Sequence, residues 1–342
     1  MGNNDNGMDG KQTNATPCTR RSFLSAGAVT AAGLWLGGCG RGSDDGGAKN
    51  STPDKPSEID MPAPTTGPNS KRDLTFFITA DTHFGYEGIE ATNRKQIDAM
   101  NRLPGTPLPE ALGGVVGQPT GVLVAGDLTD YGRPDQWKQF VEHYGLTGKD
   151  GLLKYPVQEC SGNHDVYADN DKPVLAGIRK RHGSLSRGWV WQGVCFISID
   201  AGPATDAYAW LARQLAKLGA HCPVVLMLHY SIVGPYSDIW SAKEKADLAA
   251  VLKGHNIVAI FHGHYHMSEH YKWEGFDVYN VGSPRHICHT FAAARITDNE
   301  FSIASRWWDP APGRWYWQHR KAITTTSLDK TRGSAHRSLS DS

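Results

Sequence analysis

Side chains that can bind metal ions recur at regular structural positions along the middle of this chain. Each group follows directly after a short apolar run, and the groups are Asp81-Thr82-His83, Gly126-Asp127, Gly162-Asn163-His164-Asp165, His229 and His262-Gly263-His264-Tyr265-His266. Carboxylate oxygens, imidazole nitrogens and amide oxygens together suit Zn, Mn or Fe better than Ca, because Ca prefers oxygen ligands alone. The residue types therefore indicate a transition-metal site.

Strands must position these side chains, since the preceding runs are of strand length and rich in Val, Ile and Phe. The predicted strands are Leu74–Ala80, Val122–Ala125, Pro156–Cys160, Val194–Ile199, Val224–Leu228 and Ile257–Phe261. The predicted helices are Arg133–Tyr144, Asp206–Leu218 and Ser241–Leu252. This alternation predicts an α/β domain with mainly parallel strands, followed by late antiparallel hairpins over Asp277–Val281, Phe291–Ile296 and Phe301–Ser305. Ligands of such sheets gather beyond the carboxyl ends of the strands, so these distant residues should converge.

The ordered series Asp-x-His, Gly-Asp, Gly-Asn-His-Asp, a lone His and Gly-His-x-His resembles the calcineurin-like metallophosphoesterase superfamily, from about Leu74 to Trp308. Five motifs in order make the resemblance specific, although any one alone would be weak. It implies an α/β fold in which a two-sheet β-sandwich is flanked by helices (α/β/β/α). It also implies two metal ions, one held by Asp81, His83, Asp127 and His266 and the other by Asp127, Asn163, His229 and His264, with Asp127 bridging.

A simpler interpretation of the same residues is available. Asp and Asn are ordinary turn residues after strands, and a single His is usually a satisfied surface or core residue. Seven ligand types in family order favour the metal centre over this interpretation. His262 is expected to be structural or to orient a ligating residue, since a ligating His needs an orienting partner.

The reaction implied by the resemblance is hydrolysis of a phosphoester. Two divalent or trivalent ions would lower the pKa of a bound water from about 15.7 to near 7, and the metal-bound hydroxide would attack phosphorus. His164 is the candidate proton donor to the leaving group, oriented or tuned by Asp165. Arg285 either binds phosphate through its guanidinium fork or is a surface residue.

Departures from family patterns narrow the substrate class. The stretch from Gly126 to Tyr131 lacks the Arg-Gly pair of the protein Ser/Thr phosphatases, which disfavours a phosphoprotein substrate. His83 stands where purple acid phosphatases have Gly, which disfavours membership of that group. The stretch GDLTD-x-G, which ends at Gly132, is similar to class III cyclic-nucleotide phosphodiesterases but does not fix the substrate. We expect a phosphodiesterase or phosphatase acting on a small substrate. The residues Trp240, Trp307, Trp308, Trp315 and Trp317 could stack on a substrate ring, but most are expected in the core.

The first 39 residues are predicted to direct export. Arg20-Arg21-Ser22-Phe23-Leu24 followed by a short apolar stretch resembles a twin-arginine signal, and Leu36-Gly37-Gly38-Cys39 resembles a lipobox. The expected organisation is a signal peptide over 1–39, a flexible linker over 40–72, the metallophosphoesterase domain over 73–318 and a polar, disordered tail over 319–342. The protein would then use the twin-arginine export machinery and lie in the periplasm or at the cell surface, anchored to the membrane by lipid on Cys39. The alternative is an ordinary cleavage site with an incidental Cys.

Composition excludes little but is consistent with this prediction. Lys plus Arg and Asp plus Glu both number 35, so no global field favours a nucleic-acid polymer. The cysteines Cys160, Cys195, Cys222 and Cys288 lack metal-type spacing and are expected as buried thiols, with disulfides left open. No pattern predicts an oligomeric state. Two other classes of function remain, a non-catalytic binding scaffold with this fold and a solute-binding lipoprotein. A scaffold would be expected to have lost metal ligands, and here no expected ligand position is lost. A solute-binding lipoprotein would not need the ordered Asp and His series.

Overall fold

The structure is a computed structural model that describes residues 71–168, 172–200, 205–220, 222–285 and 288–323. The predicted export signal, the lipobox Cys39 and nearly all of the predicted linker lie outside the described residues, as does the chain from 324 onward.

Two six-stranded mixed sheets form the centre of the domain. The first contains β1 (Asp73–Thr79), β2 (Pro119–Ala125), β3 (Val157–Cys160), β10 (Thr290–Thr297), β11 (Glu300–Trp307) and β12 (Arg314–Ala322), in the order β12-β11-β10-β1-β2-β3. Strands β1, β2 and β3 are parallel, and β10 to β12 join them as antiparallel strands. Thr79 pairs with Val124 and Ala125 with Cys160, so the parallel strands end at nearly the same level.

The second sheet contains β4 (Arg187–Trp191), β5 (Val194–Ser198), β6 (Val224–Met227), β7 (Ile257–His262), β8 (Ser268–Trp273) and β9 (Phe276–Val281), in the order β4-β5-β6-β7-β9-β8. Strands β5, β6, β7 and β9 are parallel, whereas β4 and β8 are antiparallel edge strands. Met227 pairs with Phe261, which brings the ends of β6 and β7 together.

Five helices in the described ranges cover the outer faces of the sheets. They are α1 (Ile89–Arg102), α2 (Pro134–Tyr144), α3 (Pro173–His182), α4 (Thr205–Leu218) and α5 (Ala242–Leu252). Helix α5 begins with a capping box in which Ser241 and Glu244 bond to each other's backbone. None of these helices has the length and apolar character needed to cross a bilayer.

Apolar side chains fill three layers between these elements. Between the sheets, the ring of Phe76 meets those of Phe196 and Phe261 edge to face, with centroids 5.2 and 6.1 Å apart. Outside the first sheet a second core includes Phe77 and Phe140, and outside the second sheet a third is centred on Trp210. Each buried aromatic ring contributes about 1.5–3 kcal/mol relative to exposure. The predicted α/β/β/α sandwich is therefore confirmed.

The last strand extends beyond the predicted end of the domain at residue 318. Strand β12 continues to Ala322 because its final residues pair with the start of β11, and two of its side chains also contact β8 and β9. Nζ of Lys321 lies 2.5 Å from Oδ2 of Asp277, and the ring of His319 stacks on His270 at 4.1 Å. The first four residues of the predicted tail therefore belong to the fold.

Candidate metal centre

The carboxyl ends of both sheets meet at one edge of the sandwich, and the predicted ligands follow the strands that end there. The loops after β1, β2 and β3 carry Asp81 and His83, Asp127, and Asn163, while those after β6 and β7 carry His229, His264 and His266. Backbone hydrogen bonds join neighbouring loops: Asp81 N donates to the Gly126 carbonyl at 2.9 Å, and Gly263 N donates to that of His229 at 3.1 Å.

Four of the predicted ligands form a first cluster. Nε2 of His83 lies 3.0 Å from Nε2 of His266. Oδ1 of Asp81 lies 3.6 Å from Nε2 of His266, and Oδ2 of Asp127 lies 3.7 Å from Nε2 of His83. These four side chains are buried, and their donor atoms all lie within 4.8 Å of one another. This spacing leaves the atoms facing a common point.

The second cluster shares Asp127 with the first. Oδ2 of Asp127 lies 3.3 Å from Nε2 of His229, which in turn lies 3.1 Å from Oδ1 of Asn163 and 3.3 Å from Nδ1 of His264. One carboxylate oxygen thus faces both groups of histidines, which is the position of a bridging ligand. The structure therefore brings together all seven residues predicted from the sequence.

The backbone is strained at five of these seven residues. The φ angles of Asp81, His83, Asp127, His264 and His266 are 55°, 45°, 49°, 80° and 56°. A non-glycine residue in this left-handed region costs on the order of 1–3 kcal/mol and persists only where its surroundings fix it. Such strain at five convergent ligands indicates that the loops are shaped to place side chains rather than for stability.

Two glycines allow the loops to approach each other closely. Gly126 has a φ of +84°, and a Cβ there would lie 2.4 Å from Nδ1 of His229. A Cβ on Gly162 would lie 2.2 Å from Oδ1 of Asp127. Any larger residue at either position would displace a predicted ligand.

Burial keeps two of the predicted histidine ligands in the neutral form that a metal needs. Burial lowers the pKa of His83 and of His264 to about 4, so both rings are neutral at pH 7 and keep a lone pair. Burial would also lower the pKa of His229, but the adjacent Asp127 carboxylate raises it to about 9. Burial raises the pKa of Asp81 well above its ordinary value. A bound cation would displace the second proton of the His229 ring and favour the ionised form of Asp81, so the donor set fits a pair of cations.

Neighbouring groups orient several of the donors. Nδ1 of His229 lies 2.9 Å from the carbonyl oxygen of Ala125, so Nδ1 carries the proton and Nε2 faces the centre. The backbone N–H of His264 donates to both oxygens of Asp81 at 3.0 and 3.1 Å. Ser283 donates its hydroxyl to the carbonyl oxygen of Asp81 at 2.9 Å.

His164 lies beside the centre, but Asp165 does not orient it as expected. The His164 ring meets that of His83 edge to face with centroids 4.6 Å apart, and its Nδ1 lies 2.8 Å from the carbonyl oxygen of Asp130. Asp165 is fully buried and accepts four hydrogen bonds, from Leu128 N, Thr129 N, Thr129 Oγ1 and Gly162 N. The orienting partner of His164 is therefore the Asp130 carbonyl, and Asp165 instead joins the loops after β2 and β3.

Arg285 lies at the first cluster and not on an open surface. Its Nη1 is 3.2 Å from Nδ1 of His83 and 3.3 Å from Oδ1 of Asp130. Its guanidinium carbon lies 4.0 Å from the centroid of the Tyr86 ring. The structure thus places this cation where it can meet a bound anion.

Other candidate histidines lie outside the centre. His262 is buried, with Nδ1 2.9 Å from the Gly263 carbonyl oxygen and Nε2 2.9 Å from the Tyr271 hydroxyl, and burial lowers its pKa to about 3. His289 pairs with Asp309 at 3.1 Å. A further group, His270, Asp277 and His319, is already neutralised, because Lys272 and Lys321 lie within 2.8 Å of the Asp277 carboxylate.

Sequence reasoning assigned no role to four exposed tyrosines around the centre. Tyr86, Tyr131, Tyr167 and Tyr236 are 42%, 51%, 48% and 56% exposed. Of the tryptophans considered, Trp240, Trp307 and Trp308 are buried in the domain. The available signal was positional, since each tyrosine lies three to seven residues after a predicted ligand.

Comparison with known protein families gives a match over most of the domain. The family model described as calcineurin-like phosphoesterase matches residues 74–268. A probable cyclic nucleotide phosphodiesterase of Rhodococcus erythropolis is 28% identical over 228 residues, which cover 62% of this chain and 70% of the relative. The glycerophosphodiester phosphodiesterase GpdQ of Enterobacter lignolyticus is 25% identical over 201 residues, which cover 55% of this chain and 69% of the relative.

Solved structures show the same fold at low sequence identity. A dimetal phosphatase from Danio rerio has a TM-score of 0.52 at 14% identity, with 74% of this chain and 99% of that chain covered. GAP50, the anchor in the inner membrane complex of Plasmodium, has a TM-score of 0.51 at 14% identity, with 74% and 90% covered. At these identities the likeness concerns the fold alone.

Proposed function

We propose that this chain, which belongs to the calcineurin-like phosphoesterase family, hydrolyses small phosphoesters at a dinuclear metal centre. The membership supports hydrolase activity in general, and the two relatives named as phosphodiesterases favour a diester substrate. The ligands proposed for the two ions are Asp81, His83, Asp127 and His266, and Asp127, Asn163, His229 and His264. The donor set is compatible with Mn, Fe or Zn.

One observation carries the proposal. Oδ2 of Asp127 lies 3.7 Å from the His83 ring nitrogen and 3.3 Å from that of His229, so a single buried oxygen serves both clusters. A mononuclear site or a structural histidine cluster needs no shared carboxylate. Two ions held by these residues would supply charge for binding phosphoryl oxygens and would acidify a water for attack.

The remaining chemistry falls to side chains at the rim. Because the Asp130 carbonyl can only accept a hydrogen bond, Nδ1 of His164 must carry a proton. Its Nε2 is then the nitrogen that, when the ring carries a second proton as the imidazolium, can give that proton to the leaving oxygen. Arg285 can place its guanidinium against a phosphoryl oxygen, since Nη1 is already within 3.3 Å of Asp130 and His83.

The test is turnover of para-nitrophenyl phosphate and its bis-ester by chain reconstituted with Mn, Fe or Zn. We expect hydrolysis that is lost with chelation, restored by metal and faster for the bis-ester. Asp127→Asn should lose at least about 100-fold in kcat, since it removes the shared charge. Asp98→Asn, the same change on exposed α1, is the matched control. If the chain hydrolyses neither ester with any of the three metals, the proposed hydrolase activity is contradicted and the non-catalytic scaffold is favoured.

We also propose that the protein acts outside the cytoplasm as a lipid-anchored member of the family. The support is the Arg20-Arg21 pair and the Leu36-Gly37-Gly38-Cys39 stretch. Mass spectrometry of the mature protein should find a lipid-modified Cys39 as the first residue. Cys39→Ser should release the protein from the membrane fraction, and Arg20→Lys with Arg21→Lys should leave it unprocessed inside the cell. An unmodified, soluble mature chain would contradict the anchor.

A further inference from the structure

Large exposed apolar side chains are concentrated around the metal centre. The described residues include eight of them, and four are the tyrosines Tyr86, Tyr131, Tyr167 and Tyr236. Single exposed apolar side chains are ordinary, but a group of rings around one cluster of candidate metal ligands indicates contact with a ligand. Two of these rings, Tyr131 and Tyr167, also contact each other, with centroids 5.8 Å apart.

The Tyr131–Tyr167 pair continues a line of ring contacts that starts inside the metal centre. The ring of His83 meets that of His164 at 4.6 Å, and His164 meets Tyr167 at 4.7 Å. The side chain of His83 is fully buried and that of His164 is 27% exposed, whereas Tyr167 and Tyr131 are about half exposed. The line therefore runs from the predicted ligands outward to solvent.

Two further contacts fix this pair in place. Asn163, a predicted ligand, donates from Nδ2 to the Tyr167 hydroxyl at 2.7 Å. The guanidinium carbon of Arg133 lies 5.4 Å from the centroid of the Tyr131 ring. Rings held in this way lose little conformational freedom when a ligand packs on them.

We propose that Tyr131 and Tyr167 form the leaving-group subsite of the centre and select esters whose leaving group carries a planar aromatic ring. The inference rests on the proposed function, because it takes His164 as the proton donor. A leaving oxygen beside His164 places the rest of its group against Tyr167 and then Tyr131. Planar rings, as in nucleosides and aryl esters, stack on these faces, whereas a flexible polyol such as glycerol cannot.

The position of the pair favours a substrate contact over a docking surface for another macromolecule. Tyr167 is hydrogen-bonded to a predicted ligand and packs on the candidate proton donor, so a partner covering it would obstruct the centre. Stacking on one aromatic side chain changes affinity by about tenfold, which is measurable.

The kinetic test uses the full, metal-reconstituted chain and two diesters, bis(para-nitrophenyl) phosphate and glycerophosphoethanolamine. The ratio of their kcat/KM values in each variant is divided by the ratio in wild type, so that the intrinsic reactivity of the esters cancels. We expect Tyr131→Leu to lower the ratio about tenfold and Tyr131→Leu with Tyr167→Leu to lower it further. Tyr131→Phe, which keeps the ring, should preserve the ratio. An unchanged ratio in the Leu variants, or equal losses for both esters, overturns the subsite while leaving phosphoester hydrolysis in place.

A binding test does not depend on turnover and so separates this inference from the proposed function. Phenylphosphonate and methylphosphonate share a charged head and differ by the ring, as adenosine 5′-monophosphate and ribose 5-phosphate differ by the base. Calorimetry should show that, in at least one of these two pairs, the ligand with the ring binds the metal-loaded wild type more tightly than the ligand without it. This preference should be lost in Tyr131→Leu and kept in Tyr131→Phe. The pair that shows the preference tells whether the subsite accepts a phenyl ring or a nucleobase. A preference that survives in the Leu variants, or no preference in wild type, overturns the subsite.

Discussion

Nδ1 of His164 lies 2.8 Å from the carbonyl oxygen of Asp130, and this contact fixes the tautomer of the ring. A carbonyl oxygen accepts only, so Nδ1 holds a proton and Nε2 is the nitrogen available for transfer. His164 also donates its backbone N–H to Oδ1 of Asp127 at 2.9 Å, which ties the candidate acid to the shared carboxylate.

The first prediction follows from this proton donor. His164→Asn should lower kcat by about 100-fold or more for diesters with alkyl leaving groups, because an alkoxide needs a proton as it departs. The loss should be much smaller for para-nitrophenyl esters, whose leaving group is stable as an anion. Steady-state kinetics on both ester types checks this, with metal content measured to show that the centre remains loaded. Equal losses on the two types would contradict a role in proton donation.

Asp165 should contribute to stability rather than to proton transfer. An amide oxygen can replace only one of its two accepting oxygens, so Asp165→Asn leaves buried N–H donors of Leu128, Thr129 or Gly162 unpaired. We expect a loss of about 2 kcal/mol or more in the free energy of unfolding, measured by urea denaturation. Asp98→Asn is the matched control and should change stability little. Unchanged stability together with slower proton transfer would restore the role first expected for Asp165.

The end of β12 should be needed for stability. A chain ending at residue 318 loses His319 and Lys321, which contact His270 and Asp277, whereas a chain ending at residue 323 keeps both contacts. Thermal denaturation should show a lower Tm for the shorter chain only. Equal Tm values for the two chains would mean that the final strand residues contribute nothing.

The Asp277 contact also predicts a pH dependence. Burial would raise the pKa of Asp277, but hydrogen bonds from His270, Lys272 and Lys321 hold it below its ordinary value. A lowered carboxyl pKa gives stability that is present above the unfolded-state pKa of about 3.9 and is lost as the pH falls through the folded-state pKa. Asp277→Asn should therefore be about 2 kcal/mol less stable than wild type at pH 7, with the difference shrinking below about pH 4. A difference that stays constant down to pH 2 would contradict the ion pairing.

Cys195 and Cys222 should be convertible to a disulfide. Cys195 lies in β5 and Cys222 just before β6, their Sγ atoms are 2.6 Å apart, and both side chains are buried. Diamide accepts two electrons and two protons, so it should slowly oxidise the two thiols to one disulfide. Peptide mapping should then find the two cysteine-containing peptides joined to each other. Cys160, which is buried and lies in β3 of the other sheet, should stay a thiol and serves as the control. Peptide mapping that finds both cysteines still reduced, while the chain is otherwise oxidised, would contradict this.

The position of each predicted ligand could be anticipated because strand ends are visible in the sequence. Asp127 follows an apolar run, and parallel strands deliver the residues after them to one sheet edge. Edge strands were harder to predict. β8 (Ser268–Trp273) and the end of β12 are rich in polar residues and contain no apolar run, so they are defined by hairpin pairing with β9 and β11.

Contacts of single side chains could not be predicted from adjacency. His164 and Asp165 are neighbours in sequence, but they lie in a short 3-10 turn, where consecutive side chains point in different directions. Asp165 consequently turns into the loop junction while His164 faces the centre. The tyrosines around the centre were missed for a related reason, since exposed residues carry no hydrophobic periodicity.

The central claim is that Asp127 joins two metal ions. Its most direct test is the metal stoichiometry of purified chain reconstituted with Mn, Fe or Zn and freed of loosely bound ions, measured by elemental analysis. We predict two ions per chain in wild type and at most one in Asp127→Asn, with Asp98→Asn keeping two. One ion or none in wild type, or equal content in wild type and Asp127→Asn, would contradict the claim.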